Sequence, residues 1–154
     1  MISIKTDEQI AKMRESGRLT ANVLKLIEQE IKPGMTTKDL DRLAYDYITS
    51  VGGKPSFLNY CGYPASICAS IDETVVHGIP SDDEFIKEGQ LVSIDVGVEY
   101  DGWHGDAART FAIGDVSPEK AKLLQVTKEC FFEAVKHLKD GTPLGDIGYY
   151  VQTH

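Results

Sequence analysis

With 154 residues, 42% of them hydrophobic, the chain is long enough for one packed domain that buries roughly 70% of the surface of the unfolded chain. Its formal net charge of −8, from 24 acidic and 16 basic side chains, argues against a nucleic acid or an anionic membrane as partner, because both would repel the protein. Its three cysteines lack C-x-x-C spacing, no secretory leader pattern opens the chain and no run of about 18 apolar residues occurs, so we expect reduced thiols in a soluble, cytoplasmic protein.

Two amphipathic helices are predicted at the start of the chain. Thr6 and Gln9 have the spacing of a capping box, and apolar or small residues recur at helical intervals from there to Ile31. A second helix is predicted in TTKDLDRLAYDYITSVGG, where the apolar residues share one face and Gly52 and Gly53 form a helix stop.

The middle of the chain, from residue 54 to residue 113, is predicted to be a β region. Short apolar runs alternate there with Gly, Pro, Asn and Asp. Helix is predicted again after it, with Ser117 as N-cap, Pro118 in the first turn and Gly141 at the end, and a further helix begins in TPLGDIGYYVQTH. The runs predicted as strands are ASICASI, TVVHGIP, LVSIDVGVEY and WHGDAARTFAI.

The last two predicted helices resemble the first two. Aligning IKPGMTTKDL (31–40) with LKDGTPLGDI (138–147) gives three identical positions, a weak match that a shared helix-turn-helix pattern would also produce. Together with the same order of helices on both sides of the β region, it predicts a tandem repeat. We therefore expect a single domain over 1–154 that is incomplete at its C-terminus, with 1–115 as the first copy and 116–154 as the start of the second.

Two aspartates stand inside a predicted β-hairpin. Asp101-Gly102 is a strong signal for a two-residue type I′ turn, and this turn would place Asp95 opposite Ala108 and Asp106 opposite Gly97. The two aspartates would then be diagonal neighbours on a polar face, about 7–8 Å apart at their Cα atoms, while the branched residues of the hairpin pack on the other face.

Carboxylates this close need a proton or a cation between them. A pair of divalent metal ions bridged by carboxylates, as in metal-assisted hydrolysis, would meet that need. The alternative is that the face is simply solvated and both residues are ordinary surface acids.

Three segments together resemble the type I methionine aminopeptidases. They are IKPGMTTKDLD, NYCGYPASICASIDETVVHGIP and SIDVGVEYDGWHGDAARTF, and the likeness runs from Ile4 to the end of the chain. The resemblance implies an α/β architecture, the pita-bread fold of the creatinase and aminopeptidase group, with the first half and the opening helices of the second pseudo-symmetric half present. It also implies removal of the initiator methionine from new polypeptides at a site with two divalent metal ions.

The resemblance assigns roles to individual residues. Asp95 would hold one metal ion and Asp106 would bridge both, while His77 would contact the substrate and help to stabilise the tetrahedral intermediate. The pocket for the methionine side chain would be lined by Phe57, Tyr60, Tyr63 and Cys68; the role of Cys61 is left open. Cobalt, manganese, iron or zinc would all suit such a site.

The family's metal site has five protein ligands, and only the two aspartates match positions in this sequence. The other three, a histidine and two glutamates, belong to the second half in the family, and His154 lacks the surrounding motif of the ligand histidine. We expect the chain to be inactive alone or active only with the missing half, and to self-associate through the surface that this half would cover.

Two other functions remain open at this stage. One is a non-catalytic pita-bread module that binds peptides or proteins, although such a module has no need of both aspartates and His77. The other is a proline-specific peptidase of the same fold, although those usually carry an added N-terminal domain. The expected partners are peptide or nascent-chain N-termini that begin with methionine.

Overall fold

The computed structural model describes residues 3–154, which fall into two compact units, one ending at Asp115 and one beginning at Val116. The first unit contains two helices and an antiparallel sheet, and the second is a helical pair. The interpretation of these units as copies of one repeat remains a prediction. The elements are α1 Asp7–Glu30, α2 Thr37–Ser50, β1 Lys54–Pro55, β2 Ile67–Ile71, β3 Leu91–Tyr100, β4 Trp103–Ala112, α3 Pro118–Lys136 and α4 Leu144–Thr153, with a 3₁₀ turn at Tyr60–Gly62.

Capping boxes begin both α1 and α2. At α1 the Gln9 amide donates to the Thr6 hydroxyl at 3.3 Å and the Gln9 side chain accepts from the Thr6 amide at 2.9 Å, as the sequence predicts. At α2 Thr36 and Asp39 make the same reciprocal pair. These bonds satisfy amides that a helix start otherwise leaves unpaired, so both helices begin at defined residues.

The sheet is antiparallel and β3 is its central strand. Strand β4 pairs with one edge of β3, and β1 and β2 pair with the other edge at different points along it. The core face of β3 is formed by Val92, Ile94, Val96 and Val98, each fully buried in a cluster with the apolar sides of α1 and α2. Burial of this face fixes the register, because a slip of one residue would expose every one of these side chains.

Helix α1 lies directly against β4. A Cβ atom added to Gly105 would come within 2.6 Å of the carbonyl of Ser16, so only glycine permits this approach. The Ser16 hydroxyl donates to the Trp103 carbonyl at 2.8 Å, and Arg109 donates to Glu28 at 2.8 Å further along the helix. These contacts hold the hairpin on the helical layer by its core face, and the opposite face is left for other contacts.

Two sequence predictions are wrong in detail. The run TVVHGIP forms no strand: residues 74–80 are irregular, and His77 has a positive φ of 61° that a strand cannot accommodate. Helix α3 starts with Ser117 as its cap, as predicted, but it ends at Lys136, well before Gly141. Gly141 instead takes a φ of 83° inside the turn that precedes α4.

The second unit consists of α3 and α4. The ring of His137 stacks on that of Tyr150 with centroids 3.8 Å apart, and the Cys130 thiol donates to the Val151 carbonyl at 3.6 Å. His154, on the C-terminal side of α4, contacts Glu129 at 3.2 Å. Among residues 3–154, no helix is long and apolar enough to cross a membrane.

Candidate functional site

The hairpin of β3 and β4 has the register that the sequence predicts. Asp95 pairs with Ala108 and Gly97 pairs with Asp106, and both turn residues have positive φ, 50° at Asp101 and 77° at Gly102. The two aspartates are therefore diagonal neighbours on the face that points away from the core. We call this surface, together with the part that β2 contributes, the polar face of the sheet.

Strand β2 extends the polar face on the other side of β3. Cys68 lies opposite Asp95, and Ser70 lies opposite Ser93. Directly opposed residues of antiparallel strands point to the same side, so Cys68 stands next to Asp95. This pairing could not be predicted from the sequence, because β2 and β3 are joined by a long irregular segment and not by a recognisable turn.

The two aspartate side chains interact directly. Burial raises the pKa of the Asp95 carboxyl; the negative charge of Asp106 and a hydrogen bond between the two side chains raise it further. His77 acts on the Asp95 carboxyl in the opposite direction, so its side chain is within electrostatic reach of Asp95. Asp95 is half-buried and interacts with Asp106, which argues against two independent surface acids.

His77 reaches this site from the irregular segment that follows β2. The next residue, Gly78, is held against β2: its carbonyl accepts from the Ala69 amide at 2.9 Å, and its amide donates to the Ser70 hydroxyl at 3.0 Å. The side chain of His77 is exposed, so it is open to a ligand on the polar face.

The residues predicted to line a methionine pocket are only partly brought together. Phe57 lies over Gly97, where an added Cβ would come within 2.9 Å of its ring. The Tyr63 hydroxyl donates to the carbonyls of Ile67 at 3.0 Å and Gly78 at 3.2 Å, and it also contacts the Cys68 thiol. Tyr60 is 72% exposed on its 3₁₀ turn, at the surface of the protein.

Burial controls the ionisation of the two polar groups nearest Asp95. It raises the pKa of the Tyr63 phenol far above its usual range and raises the pKa of the Cys68 thiol. The charges of Asp95 and Asp106 raise the pKa of the thiol further, while its bond to Tyr63 opposes this. Both groups are therefore neutral at physiological pH and present a phenol and a thiol, not anions.

The donor set on the polar face suits a divalent cation only in part. Two neighbouring carboxyl groups match the oxygen ligands of such ions once both are ionised, and a bound cation would remove the repulsion between them. Across the described part of the chain, however, no group of three or more His, Cys, Asp or Glu side chains is placed to hold a metal ion. Asp95 and Asp106 would thus be an incomplete ligand set.

The structural role of Asp41, which binds the backbone at the start of β2, was not predicted from the sequence. Asp41 on α2 is buried, accepts the amides of Ser66 at 2.7 Å and Ile67 at 3.3 Å, and binds the Lys38 ammonium at 2.7 Å. It therefore fixes the start of β2. The one signal in the sequence was an acidic residue within a predicted amphipathic helix. The amides that it binds could not be identified without the fold.

Comparison with known proteins decides the family. The model of metallopeptidase family M24 matches residues 11–154. The chain belongs to metallopeptidase family M24. This membership indicates use of a divalent metal and leaves the number and identity of the ions open.

Individual relatives that match this M24 chain well are methionine aminopeptidases. It is similar to the methionine aminopeptidase of Clostridium acetobutylicum, with 49% identity over the whole chain and 62% of that relative. The crystal structure of the Rickettsia prowazekii methionine aminopeptidase superposes with a TM-score of 0.96 at 43% identity, covering 99% of this chain and 61% of that one. The chain thus spans about three fifths of the length of these relatives.

A more distant neighbour shows how widely the fold is shared. The Xaa-Pro dipeptidase of Bacillus anthracis superposes with a TM-score of 0.86 at 22% identity, covering 97% of this chain and 41% of that one, which is evidence for the fold alone. The prediction of a pita-bread α/β fold is confirmed.

Proposed function

We propose that this chain contributes to a metal-dependent aminopeptidase that removes N-terminal methionine from peptides and newly made proteins. The main support is the placement of Asp95 and Asp106 as diagonal neighbours on the polar face of an M24 chain, with His77 within electrostatic reach of Asp95. Relatives named methionine aminopeptidases, at 49% and 43% identity, favour methionine over other first residues.

The two aspartates are proposed as metal ligands. Asp95 would hold one divalent ion and Asp106 would bridge it to a second, and manganese, iron, cobalt and zinc are all compatible with carboxylate donors. Such ions, when bound, supply a water of lowered pKa and polarise the bond to be cleaved. The interaction between the carboxyl groups is compatible with this role, because a bound cation would offset the charge of Asp106, which is one of the causes that raise the pKa of Asp95.

His77 is proposed to act on the substrate. Its ring is exposed beside Asp95 and can donate a hydrogen bond to a bound peptide carbonyl as negative charge develops there. A donor held in place before the reaction contributes more than a mobile one, so the rigid attachment of Gly78 to β2 matters for this role.

A methionine side chain fits the adjacent surface. Phe57, Tyr63 and Cys68 offer an aromatic ring, a neutral phenol and a neutral thiol within one region, and a flexible thioether packs well against aromatic and sulfur groups. Tyr60 is assigned to the exposed rim of this pocket. A free α-amino group bound near the aspartates would restrict cleavage to the first residue.

Manganese binding and methionine release test the proposal. Binding is measured by the loss of the free Mn²⁺ signal in electron paramagnetic resonance, and release is measured with a Met-Gly-Ser peptide. The variants are Asp95→Asn and Asp106→Asn, with Asp83→Asn as a matched control because Asp83 is exposed and lies outside the hairpin. We expect binding to weaken at least about tenfold in the two hairpin variants and to stay unchanged in the control.

The results separate the competing functions. Equal manganese binding by all three variants would contradict the metal-ligand assignment. Methionine release that Asp95→Asn abolishes would support the activity, whereas cleavage of an Xaa-Pro peptide instead would indicate a proline-specific enzyme. Peptide binding that neither metal nor the Asp95→Asn change affects would indicate a binding module. A cytoplasmic location and self-association stay predictions.

A further inference from the structure

His77 occupies a backbone conformation that its residue type disfavours. Its φ is 61°, in the left-handed region where the Cβ atom of an L-residue crowds the carbonyl that follows. A residue other than glycine remains there only when surrounding contacts leave it no better choice. The contacts that hold the next residue therefore help to fix the backbone from which the imidazole projects.

Gly78 is packed against β2 too tightly for any side chain. A Cβ atom at this position would come within 2.2 Å of the Ala69 carbonyl oxygen. The Gly78 carbonyl accepts from the Ala69 amide at 2.9 Å and from the Tyr63 hydroxyl at 3.2 Å. Its amide donates to the Ser70 hydroxyl at 3.0 Å.

Ser70 differs from the other two hydrogen-bond partners of Gly78. Tyr63 already belongs to the proposed pocket, and the Ala69 bond is between backbones, whereas Ser70 is 3% exposed and lies two residues beyond Cys68 on the polar face. Its cross-strand partner is Ser93, whose hydroxyl bonds to that of Thr110 at 2.8 Å. Ser70 thus links the strand beside Asp95 to the turn that carries His77.

We propose that Ser70 is a positioning residue: by accepting the Gly78 amide, its buried hydroxyl fixes the turn that carries the His77 imidazole on the polar face of the sheet. The proposal rests on the proposed function only for its effect on catalysis. The placement of the ring is a property of the chain itself and can be measured without any activity.

The test compares Ser70→Ala with two other variants by nuclear magnetic resonance. Ser70→Thr keeps a hydroxyl at the same position, and Ser93→Ala removes a neighbouring hydroxyl of the polar face that has its own partner in Thr110. Exchange of the Gly78 amide with solvent reports the bond, and the ring resonances of His77 report its placement. Circular dichroism confirms that each variant is folded.

We expect Ser70→Ala to speed Gly78 amide exchange by at least about tenfold and to shift and broaden the His77 ring signals. Ser70→Thr should restore both, and Ser93→Ala should leave both as in the unmodified chain. Unchanged His77 signals in a folded Ser70→Ala protein would overturn the proposal, even if amide exchange increased, because the hydroxyl would then be only a local hydrogen-bond partner.

Methionine release adds a second reading wherever the unmodified protein shows it. Ser70→Ala should lower kcat by about ten- to a hundredfold, with KM changed by less than about threefold, since a displaced catalytic donor affects the reaction more than binding. A change in KM as large as the change in kcat, or no change in kcat, would contradict the positioning role. If the unmodified chain releases no methionine, as expected for a chain that acts only with the missing half, the resonance data alone decide the role of Ser70, and the metal-binding experiment decides the proposed function.

Discussion

Cys68 on β2 lies directly opposite Asp95 on β3, and Asp106 on β4 lies diagonally across from the same aspartate. Asp95 on the central strand thus has neighbours on both adjacent strands, and it is within electrostatic reach of His77. It is also the group whose ionisation the fold opposes, because burial and Asp106 both raise its pKa. The two neighbouring carboxyl groups would attract a bound cation. Without a cation, the ionised Asp95 destabilises the folded state.

Asp95→Asn should therefore stabilise the metal-free protein at neutral pH. A carboxyl whose pKa is raised in the folded state favours folding at low pH, where it is protonated, and this contribution is lost as the pH rises through the folded-state pKa. Urea unfolding at pH 7 should show the variant to be more stable than the unmodified chain, and the difference should disappear below about pH 3.8, the ordinary pKa of an aspartate. A less stable variant at pH 7 would show that Asp95 makes favourable contacts in its charged form.

Divalent metal binding should release protons through Asp95. The ion binds the charged carboxylate, so the affinity should rise with pH while Asp95 still binds a proton in the metal-free protein and should level off above that range. Titration calorimetry in two buffers of different ionisation enthalpy measures the protons released. Asp83→Asn should release as many protons as the unmodified chain. Proton release that is independent of pH would argue against this linkage.

Two glycine-to-alanine changes should shift stability in opposite directions. Gly105→Ala places a methyl group within 2.6 Å of the backbone of Ser16, so the hairpin and α1 must separate, and we expect a loss of about 1–3 kcal/mol. In Gly17→Ala the added Cβ atom would meet nothing within 4 Å. Because Gly17 lies inside α1, where alanine is more favourable than glycine, the free energy of unfolding should rise by about 0.5–1 kcal/mol. Urea denaturation of the two variants provides the measurement. Equal losses would mean that close packing at Gly105 is not what limits the approach of the helix.

Removal of the buried Asp41 charge should loosen the start of β2. Asp41→Ala leaves the buried amides of Ser66 and Ile67 without their acceptor and the half-buried Lys38 ammonium without its partner. We expect a loss of about 1–3 kcal/mol, the usual cost of leaving buried donors unsatisfied. Chemical denaturation measures the loss, and amide exchange should accelerate first at Ser66 and Ile67. Asp46→Asn, an exposed change on the same helix, serves as the control and should stay within about 0.5 kcal/mol.

Features fixed by local chemistry could be predicted from the sequence. The capping box at Thr6 and the turn at Asp101-Gly102 depend on a few adjacent residues, and the turn alone determined the register that joins Asp95 to Asp106. The roles given to those residues by resemblance stay predictions, although the family itself is confirmed.

Features that depend on distant segments were missed or wrong. The β-branched pair Val75 and Val76 suggested a strand, but both side chains are exposed in an irregular segment shaped by Gly78 packing on β2. The pairing of Cys68 with Asp95 and the acceptors supplied by Ser70 and Asp41 join residues far apart in the chain. No periodicity or turn signal encodes such contacts.

The unequal spacing of these contacts along the chain bears on how the protein folds. Asp95 and Asp106 are joined through a two-residue turn, and hairpins of this kind form in about 1–10 μs, whereas β2 must close a much longer loop before Cys68 reaches Asp95. We expect the two carboxylates to meet early, in a hairpin still surrounded by water, where their repulsion is small. The energetic conflict between them then develops only as β2 and the His77 turn dock, which places it after the hairpin has formed.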